Sequence, residues 1–101
     1  MPGVYTVTQM NSYIKNMFRQ DFVLSRISVK GEVSNCKYHT SGHIYFSLKD
    51  GQGVMSAIMF AGSAKNLEFR LENGMQVIVS GRIDVYERDG KYQLYANAIG
   101  A

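Results

Sequence analysis

Cysteine is all but missing: Cys36 stands alone among 101 residues. One thiol forms no internal disulfide, so a reducing cytoplasm is the expected compartment. His39 and His43 are the only histidines, and no second cysteine or acidic pair sits near them. That is short of a zinc ligand set, so no metal and no cofactor is expected. No apolar run approaches the roughly 18 residues of a membrane span. The N-terminus lacks a basic stretch followed by an apolar core, so no signal peptide and no membrane partner are expected. Paired carboxylates, an activated serine and a phosphate-cradling glycine loop are also lacking, which argues against catalysis within these residues. There is no internal repeat, low-complexity tract or linker.

What is present is globular in character. Hydrophobic residues make up 46% and charged residues 19%. The length suits one domain, residues 1–101, with a modest core that a closed or nearly closed sheet would satisfy. The net charge of +3 is uneven. The first half carries Lys15, Arg19, Arg26, Lys30, Lys37 and Lys49 against Asp21, Glu32 and Asp50, while the second half is neutral. A basic bias of this size is compatible with a polyanionic partner without demanding one.

Periodicity supplies the architecture. Met10, Tyr13, Ile14, Met17 and Phe18 form one apolar stripe, so residues 8–20 read as a helix with Thr8 as N-cap, packed by that stripe against a sheet. From residue 26 the period becomes two. Ile27, Val29, Gly31 and Val33 mark a first strand, and residues 35–42 a polar loop. Ile44, Phe46 and Leu48 mark a second strand, and Asp50 to Gly53 a turn. The third strand covers 54–60, with Met55, Ala57 and Met59 assigned inward. Residues 62–71 break the alternation as a short helix or irregular connection. A long fourth strand over 75–87 has Gly81 at its middle, where glycine permits a sharp bend. An Asp89-Gly90 hairpin leads to a fifth strand over 92–99, with Tyr92 and Leu94 inward and Gln93 and Tyr95 outward. Three strands, a short helix and two strands form the sequence order of the OB-fold, a five-stranded Greek-key barrel. The expected fold is therefore all-β, with the barrel at about 26–99, an N-terminal helix, and a short helix between strands 3 and 4.

OB-folds commonly bind oligomers on the outer face of strands 2 and 3, between the loops joining strands 1–2 and 4–5. The first loop offers Lys37, Tyr38, His39, Ser41 and His43. Strand 2 turns Tyr45 and Lys49 outward, and Phe60 closes strand 3. Around the second loop lie Tyr86, Arg88, Lys91 and Tyr95, with Arg82 earlier on strand 4. Cations neutralise phosphates and flat rings stack on bases, the combination that holds single strands. Each residue also has a plainer reading. Tyr45 and Tyr95 can pair across strands, Tyr86 can flank its hairpin, and Phe60 can cap the barrel. Lys49 and Lys91 can be solvated charges, and Arg82 can pair with a carboxylate. Glu32 reads as a partner for a basic residue rather than an acid catalyst.

Residues 31–50 carry a more specific pattern. Gly31-Glu32-Val33-Ser34-Asn35, Lys37, His39, Ser41-Gly42-His43, Tyr45-Phe46 and Leu48-Lys49-Asp50 resemble the opening motif of the exonuclease VII large-subunit family. Ala57-Ile58-Met59-Phe60, Gly74-Met75, Val77, Val79, Gly81-Arg82, Val85-Tyr86 and Tyr92-Gln93-Leu94 are similar to its later strands. Val7-Thr8 to Ile14-Lys15 is similar to its leading helix. Cys36 departs from the family, which commonly has an aromatic residue there. The resemblance implies a single-stranded DNA-binding module whose parent enzyme degrades single-stranded DNA to oligonucleotides in the bacterial cytoplasm. It also implies a nuclease domain and small subunits as partners in the parent protein, whose catalytic domain is absent from this chain. Docking on those partners, or RNA binding of the tRNA-anticodon type, are the alternative roles.

Overall fold

The computed structural model describes residues 3–101. Helix α1 spans Val7–Gln20. Five strands follow: β1 Ile27–Tyr38, β2 Ile44–Lys49, β3 Val54–Met59, β4 Gln76–Tyr86 and β5 Lys91–Gly100, with the short helix α2 at Ala61–Ala64 between β3 and β4. They close a barrel in the order β1-β2-β3-β5-β4. All pairings are antiparallel except β3 with β5, as the Greek-key crossover requires. This is the expected OB-fold.

The alternating strand pattern fills the interior. Val33, Phe46, Leu48, Met59, Val77, Val79, Ile83 and Leu94 form one buried cluster. Ala57 joins that cluster and Met55 packs against it, as assigned from sequence. The connection over 62–71 is helical only at its start, in the single turn Ala61–Ala64. β4 bends around the barrel. Residues 76–81 pair with β1, residues 78–86 pair with β5, and the β5 register shifts between Ser80 and Gly81. A Cβ at Gly81 would sit 1.9 Å from the Tyr95 carbonyl oxygen, so only glycine lets the two backbones approach.

Four expectations are corrected. The N-cap is Thr6, not Thr8: Thr6 accepts from the Gln9 N–H while the Gln9 side chain accepts from the Thr6 N–H. β1 continues through residues 35–38, read above as loop, by way of a bulge between Ser34 and Lys37. Asn35 takes φ 50 there, a conformation asparagine tolerates better than most residues. The connecting loop is only 39–43. Tyr92 is 54% exposed rather than inward, because it lies at the barrel end beside Phe18.

The fourth correction concerns α1, none of whose residues is buried. Its polar side meets the barrel, and of its apolar stripe only Phe18 packs against the core, while Met10, Tyr13, Ile14 and Met17 are exposed. Asn11 donates to the Glu87 carbonyl (3.1 Å), Ser12 donates to the Glu87 carboxylate, and Lys15 donates to the Val85 carbonyl (2.6 Å). Lys15 and Arg19 also lie 3.6 and 3.5 Å from the carboxylate of Asp84, which is 3% exposed. Asp84 accepts the Val85 N–H as well, so this buried charge is both paired and hydrogen-bonded.

Replacing Gly81 with alanine is expected to lower the unfolding free energy by about 3 kcal/mol, because the added methyl meets backbone rather than a movable side chain. Urea denaturation checks this. The Asp50 carboxylate accepts the Gln52 and Gly53 N–H groups at 2.9 Å each, and these bonds hold its carboxyl below the usual value. A depressed folded pKa contributes stability above the unfolded value that is lost as pH falls through the folded one. The acid-side loss of stability is therefore expected to be smaller in Asp50→Asn, read from urea midpoints across the acid range.

Candidate nucleic-acid interface

The barrel exterior carries a continuous cross-strand row. Lys37 on β1 pairs with Tyr45 on β2, Tyr45 with Ile58 on β3, Ile58 with Tyr95 on β5, and Tyr95 with Arg82 on β4. Directly paired residues share a face of the sheet. At about 4.8 Å per strand, the row runs roughly 19 Å. It reads cation, ring, aliphatic, ring, cation.

Neighbouring groups extend this row at both ends. The His39 and His43 rings lie edge-on to Tyr45 at 6.2 and 6.5 Å. His43 also meets Phe60 at 5.2 Å, and Phe60 meets Tyr95 at 5.9 Å. The Arg82 guanidinium lies over the Tyr95 ring at 4.5 Å. Beside the rings is a groove of about 440 Å³ lined by Tyr45, Ile58, Phe60, Tyr86, Lys91 and Tyr95. The 39–43 loop and the β4–β5 hairpin thus flank one open side of the barrel.

The short loop is held by its own side chains. Ser41 Oγ and His39 Nδ1 are 2.8 Å apart, and the Ser41 N–H donates to the same ring nitrogen. Gly42 adopts φ 95 and donates to the His39 carbonyl, which tightens the turn. His43 Nδ1 accepts the Ala61 N–H at 2.8 Å, tying the loop to α2. With both Nδ1 atoms accepting, each neutral ring carries its hydrogen on Nε2, a donor suited to phosphate or base oxygens.

The thirteen residues singled out from sequence do not all converge. His39, Ser41, His43, Tyr45, Phe60, Arg82, Tyr86, Lys91 and Tyr95 belong to the row, its loop or its groove, and Lys37 stands at one end. Tyr95 faces outward as expected yet is only 9% exposed, because Phe60 and Arg82 cover it. Tyr45, at 42%, keeps an open ring. Tyr38 turns away. It pairs with inward-facing Ile44, donates to the Leu71 carbonyl at 3.0 Å, and lies under the Arg70 guanidinium at 4.3 Å. Lys49 is four residues along β2 from Tyr45, roughly 13 Å away, and meets Glu32 at 3.6 Å. Arg88 is exposed on the hairpin. Ile58, Ser56 and Gln93 were not singled out, although they also line the groove. Outward parity with Phe60 and Tyr95 marks them in the sequence. Gln93 donates to the Tyr95 hydroxyl at 2.9 Å.

Cys36, half-buried behind Tyr38, donates to the Leu71 carbonyl at 3.5 Å, and burial pushes its thiol pKa up. Among the described residues no group of three or more His, Cys, Asp or Glu could hold a metal ion. No described helix is long and apolar enough to cross a membrane.

A family described as "OB-fold nucleic acid binding domain" matches residues 5–100. The chain is similar to the Exodeoxyribonuclease 7 large subunit of Lachnoclostridium phytofermentans, 68% identical over 99 residues that cover 98% of this chain and 25% of that protein. The same-named protein of Ruminiclostridium cellulolyticum is 50% identical, over 98% of this chain and 24% of that protein. The chain thus spans about a quarter of the length of these curated relatives. Among solved structures it resembles a chain of a Replication Protein A heterotrimer bound to ssDNA, with TM-score 0.59, 17% identity, and coverage of 75% of this chain and 56% of that one. It also resembles asparaginyl-tRNA synthetase from Pyrococcus horikoshii, with TM-score 0.57, 19% identity, and coverage of 74% and 19%. At such identities these likenesses show the fold alone.

Because Tyr38 serves the barrel end and not the groove, Tyr38→Phe is expected to cost about 1 kcal/mol of stability. Its affinity for a short oligonucleotide should stay at the parent value, with urea melts and fluorescence anisotropy as the two measurements.

Proposed function

We propose that this chain, which belongs to the OB-fold nucleic acid binding domain family, grips single-stranded DNA for a nuclease of the exodeoxyribonuclease VII type. The observation that carries the reading is the Lys37–Tyr45–Ile58–Tyr95–Arg82 row. A single strand laid across it meets a cation at each end for its phosphates and an open tyrosine ring for a base. Every base has a π-face, so such contacts hold a strand with little regard to sequence. The similarity to exodeoxyribonuclease 7 large subunits supports DNA as the polymer and a nuclease as the parent, while the lone Cys36 suits a cytoplasmic setting. In that parent the domain would hold the substrate strand and present it for cutting, with the nuclease domain and small subunits as its partners.

Tyr45 and Arg82 have different tasks in this reading. Tyr45 offers its ring to a base. Tyr95 is covered, so it supports the Arg82 guanidinium, which becomes the flat cationic surface in its place.

Fluorescence anisotropy with a labelled oligo-dT strand tests the proposal. Tyr45→Ala is expected to cost about 1–3 kcal/mol of binding, the worth of one stacked base. Lys37→Ala should reduce the log–log salt slope by about 0.7, the share of one phosphate. Wild-type affinity and salt dependence in both variants would refute this face as the site. An RNA strand of equal length that outcompetes the DNA would transfer the role to RNA.

A further inference from the structure

Asp84 gathers more cations than one carboxylate can neutralise. Lys15 Nζ lies 3.6 Å from its Oδ1, while Arg19 Nε and Arg82 Nε lie 3.5 and 3.9 Å from its Oδ2. The other acids nearby are occupied elsewhere. Asp21 accepts the Leu24 N–H. Glu87 accepts from Ser12, about two turns and roughly 10 Å along α1 from Arg19. The last-turn carbonyls of α1 add only about half a negative charge. Three positive charges therefore face roughly one and a half negative ones. The excess suits an anion.

That excess is open to solvent. Lys15 is largely covered and also donates to the Val85 carbonyl, so it anchors the helix. The side chains of Arg19 and Arg82 are 62% and 47% exposed. Both line a depression of about 360 Å³ between helix and barrel, together with Phe18, Ser25, Ile83 and Asp84. Each arginine meets Asp84 through Nε, which leaves the Nη groups at the outer end of each guanidinium for another acceptor. Arg82 lays the face of its guanidinium on Tyr95, and that contact does not use the Nη edge.

The chemistry of the pair narrows the ligand. Two guanidiniums held on one carboxylate oxygen are close enough for a single anion to bridge them. Their planar forks match the oxygens of a phosphate. Their place in the fold narrows it further. Arg82 ends the cross-strand row, and Arg19 stands in the last turn of α1, just off the sheet. A strand that passes Tyr45 and Tyr95 and leaves the barrel at Arg82 next reaches Arg19.

We infer that Arg19 and Arg82 form a phosphate site at the junction of α1 and the barrel, so that a bound single strand continues off the sheet onto the end of the helix. The inference rests on the strand-binding reading above and extends it to a residue outside the barrel.

Fluorescence anisotropy with a labelled oligo-dT strand of about 16 nucleotides, the upper site size for one OB fold, tests it. Arg19→Gln should lower the log–log salt slope by about 0.7, the share of one phosphate. Lys15 still anchors the helix in this variant, so its circular dichroism should match the parent. Arg19→Lys keeps the charge and should keep the slope. In proton–nitrogen NMR of the parent, the Nε–H signals of Arg19 and Arg82 should both shift when the strand is added. A parental salt slope in Arg19→Gln overturns the inference. So does an Arg19 Nε–H signal that stays in place while the Arg82 signal moves. Tyr45→Ala judges the ring row separately. If it weakens binding while Arg19→Gln keeps the parental slope, the row stands and the helix site falls. If it leaves binding unchanged while Arg19→Gln lowers the slope, the helix site stands and the row falls.

Discussion

The barrel depends on the closeness of two backbones at one point. β4 leaves its pairing with β1 and completes its pairing with β5 where Gly81 passes the Tyr95 carbonyl. A side chain there would push β5 outward. Closure matters because an open edge would leave unpaired backbone donors and acceptors and admit water to the core. The same crossing sets Arg82, one residue on, directly opposite Tyr95. The contact that closes the core therefore also places a cation over a ring on the outer face.

Around that point the outer face is assembled by register. Five strands each contribute one residue to the row, and none of the five is near another in sequence. A rigid sheet holds these groups in place before any strand arrives, so little ordering cost is left for binding. The loop that carries His39 and His43 is tied down as well, by Ser41 within it and by the Ala61 N–H beyond it. Hydrogen bonds that look merely local thus fix which nitrogen of each ring can donate.

α1 attaches by a different logic. Its contacts with the barrel are charged and polar, centred on buried Asp84, which meets Lys15, Arg19 and, at 3.9 Å, Arg82. A buried carboxylate with several cationic partners fixes a helix in one orientation, because Asp84 left buried without its counter-charges would be costly. That orientation leaves Met10, Tyr13, Ile14 and Met17 facing away from the barrel, with Phe18 the one stripe residue packed on its core. Helix and row also share Asp84, so the helix anchor and the outer cation rest on the same carboxylate.

Much of the fold was legible in the chain. Alternation has one solution for a half-buried strand, so the five strands and most of their inward residues followed from positions such as Val33, Phe46, Leu48, Met59, Val79 and Leu94, with Tyr92 the exception. The outward parity of Tyr45, Arg82 and Tyr95 was legible too. Local pattern failed where a residue's neighbour comes from elsewhere in the chain. The bulge at Asn35 carried β1 through a segment that reads as loop, and it turned Tyr38 toward Leu71 instead of the groove. The stripe on α1 announces an apolar face but not what covers it. Asp84, with its cations, decided that the opposite face meets the barrel. Period and composition determine which side of each element is apolar, since that is a property of adjacent residues. Which sides meet, and which outward residues fall into one row, is set by strand register and buried charge, and these exist only once distant segments are paired.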